Sequence, residues 1–152
     1  MPSRAERGRR AGEWWRTAEA VAYLATARLA LAVLSFQRLT WLFERPARRV
    51  ELTGEARIRM RHEVRRALNR VRRRLPSQTT TCFHRAIAAQ AMLRRRGVGT
   101  TLYYGAARLP TGVLATHAWV QDGTEGVVGY RAVERDRYHV LARYRRVFER
   151  ER

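Results

Sequence analysis

The sequence contains no lysine, so all 32 of its basic residues are arginine, and its formal net charge is +19. Selection for phosphate binding alone would accept either cation, because lysine and arginine both neutralise phosphate. The absence of lysine therefore indicates the coding bias of a GC-rich genome and weakens the charge as evidence for nucleic acid. The composition predicts a solvated, arginine-rich surface, and the alternative is an electrostatic partner such as an acidic peptide or protein.

Cysteine is almost as scarce, since Cys82 is the only one and a disulfide within the chain is excluded. A single cysteine fits a reducing compartment, and we expect a cytoplasmic protein. The length of 152 residues and the hydrophobic fraction of 45% are sufficient for a folded domain with a core. The composition therefore excludes an intrinsically disordered chain.

The chain also lacks a long uninterrupted apolar segment. Residues 20–36 come nearest to one, and Arg28 lies in the middle of them. A basic start followed by an apolar run is typical of a signal peptide or membrane anchor, but a central arginine costs about 3 kcal/mol on insertion. We expect a soluble amphipathic helix, with weak membrane association as the alternative. Its predicted buried residues are Val21, Leu24, Leu31 and Leu34.

Composition divides the chain into three parts. We predict a disordered basic segment over residues 1–12, a helical region over residues 13–75, and a core with a C-terminal helix over residues 76–152. The helical region should end with a second helix over residues 53–74, because Pro76 disfavours helix just before it. The apolar face of this helix is predicted to consist of Ile58, Val64, Leu68 and Val71.

A third helix is predicted from Cys82 to Gly97. Thr80 or Thr81 is a suitable N-cap, and Gly97 is the type of residue that follows a helix end. Only Gln90 is polar between residues 86 and 93. A helix that is apolar nearly all round belongs at the centre of a fold.

The residue pattern then changes to that of strands. Residues 99–109, 112–121 and 127–133 are rich in β-branched and aromatic residues and are separated by turn sequences. Helices followed by a three-stranded meander indicate the α+β class. A terminal helix is predicted from the spacing of Tyr138, Leu141, Tyr144 and Val147.

Cys82 has two interpretations. A lone cysteine in an apolar context is more often a small packing residue than a nucleophile. In the first turn of a helix, however, the N–H groups and the helix dipole favour the thiolate. The same N–H groups can receive the oxyanion of a tetrahedral intermediate.

A cysteine nucleophile needs a histidine base, and the chain contains four histidines. His62 lies on the arginine-rich second helix, His84 follows Cys82 too closely to face it, and His139 lies in the terminal segment. His117 lies within an apolar strand. A central helix carrying the cysteine and an adjacent strand carrying the histidine are typical of papain-like and transglutaminase-like enzymes.

Zinc binding is the competing use of the same residues. Cys82, His84 and His117 could hold a metal, but a Cys-x-His pair on a helix has poor ligand geometry and no second cysteine or carboxylate clusters nearby. We expect neither a metal nor another cofactor.

Residues 69–123 resemble the leader peptidase of lasso-peptide biosynthesis, which is the stand-alone protease half of the split B protein and a transglutaminase-like cysteine protease. That family shows a cysteine, a nearby arginine, an alanine- and leucine-rich helix ending in LLRRRG, a strand, and HAWVE. The matching residues here are Cys82, Arg85, residues 86–96, Gly97 and residues 117–121. The resemblance extends over residues 20 to 130.

The resemblance implies a transglutaminase/papain-like core in which the central cysteine-bearing helix packs on a small antiparallel sheet. It implies Cys82 as nucleophile and His117 as general base and acid. Thr81, Arg85 and Trp119 fall in the substrate or oxyanion region of such a site.

The third catalytic member departs from the family pattern. The family usually places an acidic residue about twelve positions after the histidine, and Gly129 stands there. A hairpin turn over residues 122–125 pairs Gln121 with Gly126 and places Tyr130 opposite His117. The candidates are therefore Asp122, Tyr130 and Glu134, with a backbone carbonyl or no orienting group as alternatives.

By resemblance, the predicted function is removal of the leader from a ribosomally made lasso precursor. The implied partners are the precursor leader, a separate leader-recognition protein and an ATP-dependent macrolactam cyclase, and nucleic acid is not expected. Two alternatives remain open. One is a transglutaminase-like scaffold that has lost catalysis, and the other is an arginine-rich module that binds nucleic acid or an anionic membrane.

Overall fold

A computed structural model describes residues 3–35, 38, 52–76, 81–131, 133 and 138–145. In these residues, helices α1 (Arg4–Val33), α2 (Gly54–Arg74) and α3 (Cys82–Arg95) precede strands β1 (Thr101–Arg108), β2 (Leu114–Asp122), β3 (Glu125–Val128) and β4 (His139–Arg145). The strands form one antiparallel sheet in the order β3-β2-β1-β4. The predicted α+β class is confirmed.

Helix α3 is the centre of the core, because α1 and α2 pack against it on one side and the sheet on the other. Thr81 is its N-cap, as predicted, and Gly97 follows its end with a φ of 76°. Gln90 is completely buried, and its Nε2 donates to the carbonyls of Thr100 (3.2 Å) and Tyr144 (3.0 Å). The one polar residue in the middle of α3 therefore joins the helix to the sheet region.

Helix α1 begins at Arg4, so residues 4–12 are helical where composition predicted a disordered segment. Ser3 and Glu6 form a capping box that satisfies two N–H groups at the start of the helix. Leu24 is buried as predicted, whereas Val21 is 48% exposed and its predicted burial is wrong. The buried stripe consists of Ala20, Leu24 and Ala27, so the helix turns its smaller residues toward the core. Leu31 and Leu34 are partly buried.

In the part of the chain that the structure describes, none of the helices combines the length and the hydrophobicity that a membrane span requires.

Helix α2 buries Val64, Leu68 and Val71, which confirms most of its predicted apolar face. Ile58 is 46% exposed, so its predicted burial is wrong. It lies in the first two turns of α2, where Arg57 and Arg61 instead reach toward the sheet.

The terminal segment is a strand, and the predicted C-terminal helix is wrong for residues 139–145. Strand β4 pairs with β1, which would otherwise be an edge of the sheet. Tyr144 is buried, while Leu141 is 63% exposed. The spacing of three residues was compatible with a helix, but backbone pairing with β1 decided the conformation.

The β2–β3 hairpin has the predicted pairing of Gln121 with Gly126. A register shift next to Gln121 brings Val120 opposite Val128, and β3 ends there. Gly129 follows with a φ of 78°. The third strand is therefore shorter than predicted, and Tyr130 lies beyond its end.

Asp122, a candidate catalytic acid, has a structural position. It ends β2 with 5% exposure, and both Arg57 and Arg61 of α2 bind its carboxylate, at 2.9 Å (Nε to Oδ2) and 3.0 Å (Nη1 to Oδ2). This ion-pair cluster fastens α2 to the sheet. Of the three candidates for the group that orients His117, Asp122 is thus the one whose oxygens bind two arginines instead.

Asp122→Ala should lower the free energy of unfolding by about 2–3 kcal/mol, because it leaves two partly buried guanidinium groups without their carboxylate. Chemical denaturation measures this loss. Glu125→Ala, which removes an exposed carboxylate from the same hairpin, is the control and should change stability by less than about 0.5 kcal/mol. Equal effects of the two substitutions would contradict a structural role for the cluster.

Candidate active site

Cys82 is the first residue of α3, and the cap of that helix fixes its position. The Thr81 hydroxyl accepts from the His84 N–H (3.4 Å), and the His84 Nδ1 accepts from the Thr81 N–H (3.1 Å). Burial and the positive charge of Arg28 lower the pKa of His84, which favours the neutral ring that can accept this bond. His84 is thus a capping partner, and Thr81, expected in the substrate or oxyanion region, is the N-cap.

His117 lies on β2 within a layer of aromatic rings. Its ring lies nearly parallel to that of Trp119 (centroids 6.4 Å apart) and contacts Tyr138 (5.4 Å). Trp119 is 2% exposed and stacks on Tyr103 at 5.4 Å. A Cβ on Gly105 would come within 2.9 Å of the indole, so only glycine leaves room for it.

This packing gives Trp119 a role that differs from the predicted one. A side chain with 2% exposure is not available to a substrate. Trp119 instead packs against the His117 ring and holds its orientation. The backbone alternation of β2 explains the pairing, because residues two apart project from the same face of a strand.

The Cys82 thiol lies close enough to the His117 side chain and to backbone groups of Ala118 and Phe83 for all three to act on its pKa. Burial alone would raise the pKa of Cys82, but these three groups together outweigh it and lower the pKa. The pKa of His117 is raised, mainly by Cys82 and further by the Gly129 carbonyl, against the opposing effects of burial and Arg85. The pair is therefore disposed toward a thiolate and an imidazolium.

The group that orients His117 is a backbone carbonyl. The His117 Nε2 lies 2.9 Å from the Gly129 oxygen. A carbonyl only accepts, so Nε2 carries a proton and Nδ1 is the nitrogen available to Cys82. Gly129 stands where the family places its acid. Its backbone carbonyl, one of the alternatives to an acid, accepts the hydrogen bond that orients His117.

The other two candidates for the third member have different outcomes. Tyr130 lies near His117, in the wall of the same cavity, and packs over Gly126. Glu134 lies outside the described residues. Among the described residues, no carboxylate is hydrogen-bonded to His117.

A cavity of about 790 Å³ adjoins His117. Arg85, which the resemblance placed near the site, lines it and donates from Nη2 to the Asn69 side chain (3.3 Å). The walls also contain residues that the sequence analysis assigned to a solvated surface, namely Arg65, Arg72, Arg73 and Arg131. The sequence contains a signal for this clustering in the spacing of the arginines along α2. Arg72 and Arg73 follow Arg65 by seven and eight residues, which is about two helical turns, so the three share one side of the helix.

In the described part of the chain, no three His, Cys, Asp or Glu residues come together as a metal site. Of the three zinc ligands considered above, His84 is engaged in the cap of α3.

We expect iodoacetamide to alkylate Cys82 at about pH 6, where an ordinary thiol is almost unreactive. The lowered pKa of Cys82 keeps the thiolate present above that pKa, and the raised pKa of His117 keeps the imidazolium until the pH passes it. Both shifts therefore widen the pH range in which the thiolate and the imidazolium coexist. Intact-mass measurement of the alkylation rate against pH tests this expectation.

His117→Ala should move the alkylation profile to higher pH, because the thiolate loses its main stabilising partner. His62→Ala, on the exposed side of α2, is the control and should leave the profile unchanged. Identical profiles for wild type and His117→Ala would show that the thiol is not activated by the histidine.

The comparisons with known proteins agree with this geometry. A family model described as the transglutaminase-like superfamily matches residues 21–143. No curated protein and no solved structure gives a significant match. The matched residues include α3 with Cys82 and the whole of the β2–β3 hairpin with His117, and they form most of the chain. The chain therefore belongs to the transglutaminase-like superfamily.

Proposed function

We propose that this protein is a cysteine endopeptidase that removes the leader peptide from a ribosomally synthesised lasso-peptide precursor. The observation that carries the proposal is the placement of Cys82 at the start of the buried helix α3 with His117 of β2 beside it. The transglutaminase-like superfamily includes cysteine proteases. The lasso-peptide assignment rests on the resemblance of the Cys82 helix and the HAWV strand to the leader peptidases.

The proposed reaction begins with attack of the Cys82 thiolate on the scissile carbonyl carbon. The carbonyl electrons move to oxygen, and the Cys82 N–H at the start of α3 is the proposed donor to that oxyanion. The His117 imidazolium then gives its Nδ1 proton to the leaving amine as the C–N bond breaks. The product of this half-reaction is a thioester between Cys82 and the leader.

In the second half-reaction, neutral His117 takes a proton from water as the water attacks the thioester. The thiolate leaves, and the leader is released with a free carboxylate. The Gly129 carbonyl holds the ring in one tautomer throughout. A carbonyl has no formal charge, so it stabilises the imidazolium less than a carboxylate does, and the thiolate must supply most of that stabilisation.

The proposed partners are those that the resemblance to the leader peptidases implies. We propose that a separate leader-recognition protein presents the precursor and that an ATP-dependent cyclase closes the macrolactam on the freed amine.

A catalytically degenerate scaffold is the second candidate, and it is favoured by one observation. Among the described residues, His117 has a carbonyl where a carboxylate is usual for the family. Such a scaffold would bind the same partners without cleaving the precursor.

Cleavage of a cognate precursor, followed by mass spectrometry in the presence of its leader-recognition protein, separates the two candidates. Wild type should make one leader-sized cut. Cys82→Ala should abolish it, and His117→Ala should slow it by about a thousandfold. His62→Ala is the control and should cleave like wild type. An intact precursor in a complex of wild type with its partners would exclude the peptidase.

Placing an acidic residue at position 129, where the family usually has one, should not increase the rate of precursor cleavage by this protein. A Cβ on Gly129 would lie 2.8 Å from the Ala118 oxygen and 3.0 Å from the His117 Nε2, and the φ of +78° disfavours any side chain. We expect Gly129→Asp to slow precursor cleavage by about tenfold or more.

Gly123→Asp is the matched control for that substitution. Gly123 has a φ of +60° in the β2–β3 turn, and its Cβ would meet nothing within 4 Å. It therefore carries the same backbone strain without the contact with His117. Faster cleavage by Gly129→Asp than by wild type would contradict the conclusion that the carbonyl is the working partner of His117.

A further inference from the structure

The cavity beside His117 is strongly cationic. One side is formed by the C-terminal half of α2, and the other by β3 and the residues that follow it. Five guanidinium groups line it, from Arg65, Arg72, Arg73, Arg85 and Arg131. Glu125 is the single acidic residue among the described residues of the lining.

None of these five arginines forms a salt bridge with another described residue. The carboxylates of the described core are committed to other arginines. Glu63 binds Arg16, Glu19 binds the end of α3, and Asp122 binds the start of α2. Among the described residues, no ion pair balances these arginines and only Glu125 opposes them in the cavity. A cleft lined mainly by one sign of charge concentrates ligands of the opposite sign.

Arg85 is the cavity arginine with an electrostatic effect at the proposed catalytic pair. Its charge acts on both Cys82 and His117. It is partly buried, its Nε is inaccessible to solvent, and this Nε has no hydrogen-bond partner. Partial burial of a guanidinium group with an unpartnered N–H costs free energy unless a nearby anion offsets the positive charge. A carboxylate entering the cavity would supply that offset next to the scissile bond.

The shape of the cavity favours a peptide over a nucleic acid. Its lining runs without interruption from Thr124 to Arg131, along β3. Strand β3 is at the edge of the sheet and pairs with β2 alone among the described strands. An extended peptide can lie beside an edge strand, and one placed along β3 leads directly to His117.

We propose that this cavity is a specificity subsite that binds acidic side chains of the peptide substrate close to the cleaved bond, with Arg85 and Arg72 as principal contacts. The inference rests on the proposed peptidase function, because it assigns the substrate class of the same site. Of the two interpretations of the arginine-rich composition, a solvated surface or an acidic partner, the proposal favours an acidic peptide, and it places the binding on the one face of the molecule that contains the cavity.

Two small reagents test the cavity without knowledge of the natural substrate. Iodoacetate and iodoacetamide alkylate the same thiolate, but only iodoacetate is an anion. The ratio of their rates at Cys82 therefore cancels any change in the amount of thiolate and measures the attraction of the cavity for a carboxylate. In wild type the ratio should exceed that of a free cysteine derivative, and added salt should lower it.

The double substitution Arg72→Gln, Arg85→Gln should lower the ratio by about tenfold, as expected for the loss of charge-assisted contacts. His117 is unchanged in this variant, so its own charge cannot account for the loss. Arg66→Gln is the matched control, because Arg66 is exposed on the same helix and does not line the cavity. An unchanged ratio in the double variant, or an equal fall in the control, would overturn the proposal.

A second measurement tests the peptide class. N-acetyl tetraglutamate amide should protect wild-type Cys82 from iodoacetamide, and the tetraglutamine analogue should not. Equal protection by both peptides, or protection by neither, would contradict the proposal. Stronger protection by an oligothymidylate of equal charge would also overturn it and would assign the cavity to nucleic acid.

These outcomes are distinguishable from failure of the proposed function. If Cys82 does not react with iodoacetamide at about pH 6, the activated thiolate and the peptidase are excluded. The cavity is then tested by calorimetric binding of the tetraglutamate and tetraglutamine peptides to the Cys82→Ala variant. Preference for the tetraglutamate peptide that the Arg72, Arg85 double substitution removes would support the subsite, and absence of preference would refute it.

Discussion

The burial of α3 is the constraint on which the rest of the structure depends. The helix is apolar nearly all round, so it is stable only between α1, α2 and the sheet. Gln90, its one fully buried polar residue, bonds to carbonyls in the sheet region and fixes the helix there. The first turn remains accessible enough for Cys82 to be half-buried, with a helix N-terminus behind it and His117 in contact. A packing requirement thus places Cys82, the proposed nucleophile.

In the proposed catalytic pair, Cys82 and His117 depend on each other more than they would in a site with a carboxylate. The Gly129 carbonyl fixes the tautomer of His117 but supplies no negative charge. The raised pKa of His117 comes first from Cys82, and the lowered pKa of Cys82 depends on His117. Loss of either side chain therefore removes the main stabilising partner of the other. This mutual dependence shifts both pKa values toward a thiolate and an imidazolium, although no carboxylate among the described residues is bonded to His117.

The few acidic residues of the chain have a structural use that shapes the site. Thirteen carboxylate residues face 32 arginines. Glu19, Glu63 and Asp122 join α1 to α3, α1 to α2, and α2 to the sheet. These ion pairs lie where two elements pack together, so the three carboxylates are not available to the arginines of the cavity between α2 and β3. The cavity is therefore positively charged beside the site of the proposed chemistry. In this way the overall excess of arginine produces a local concentration of positive charge.

The sequence by itself determined what short-range physics controls. The Thr81 cap, the Gly97 end, the buried α3 and the Gln121–Gly126 pairing depend on neighbouring residues and were all predictable. Tertiary structure decided the rest. Strand β4 exists because β1 offers it backbone partners, and Asp122 is structural because two arginines from α2, distant in sequence, reach it. The Gly129 carbonyl orients His117 because a register shift ends β3 early. These outcomes depend on which distant segments meet, and the spacing of residues along one chain does not record that.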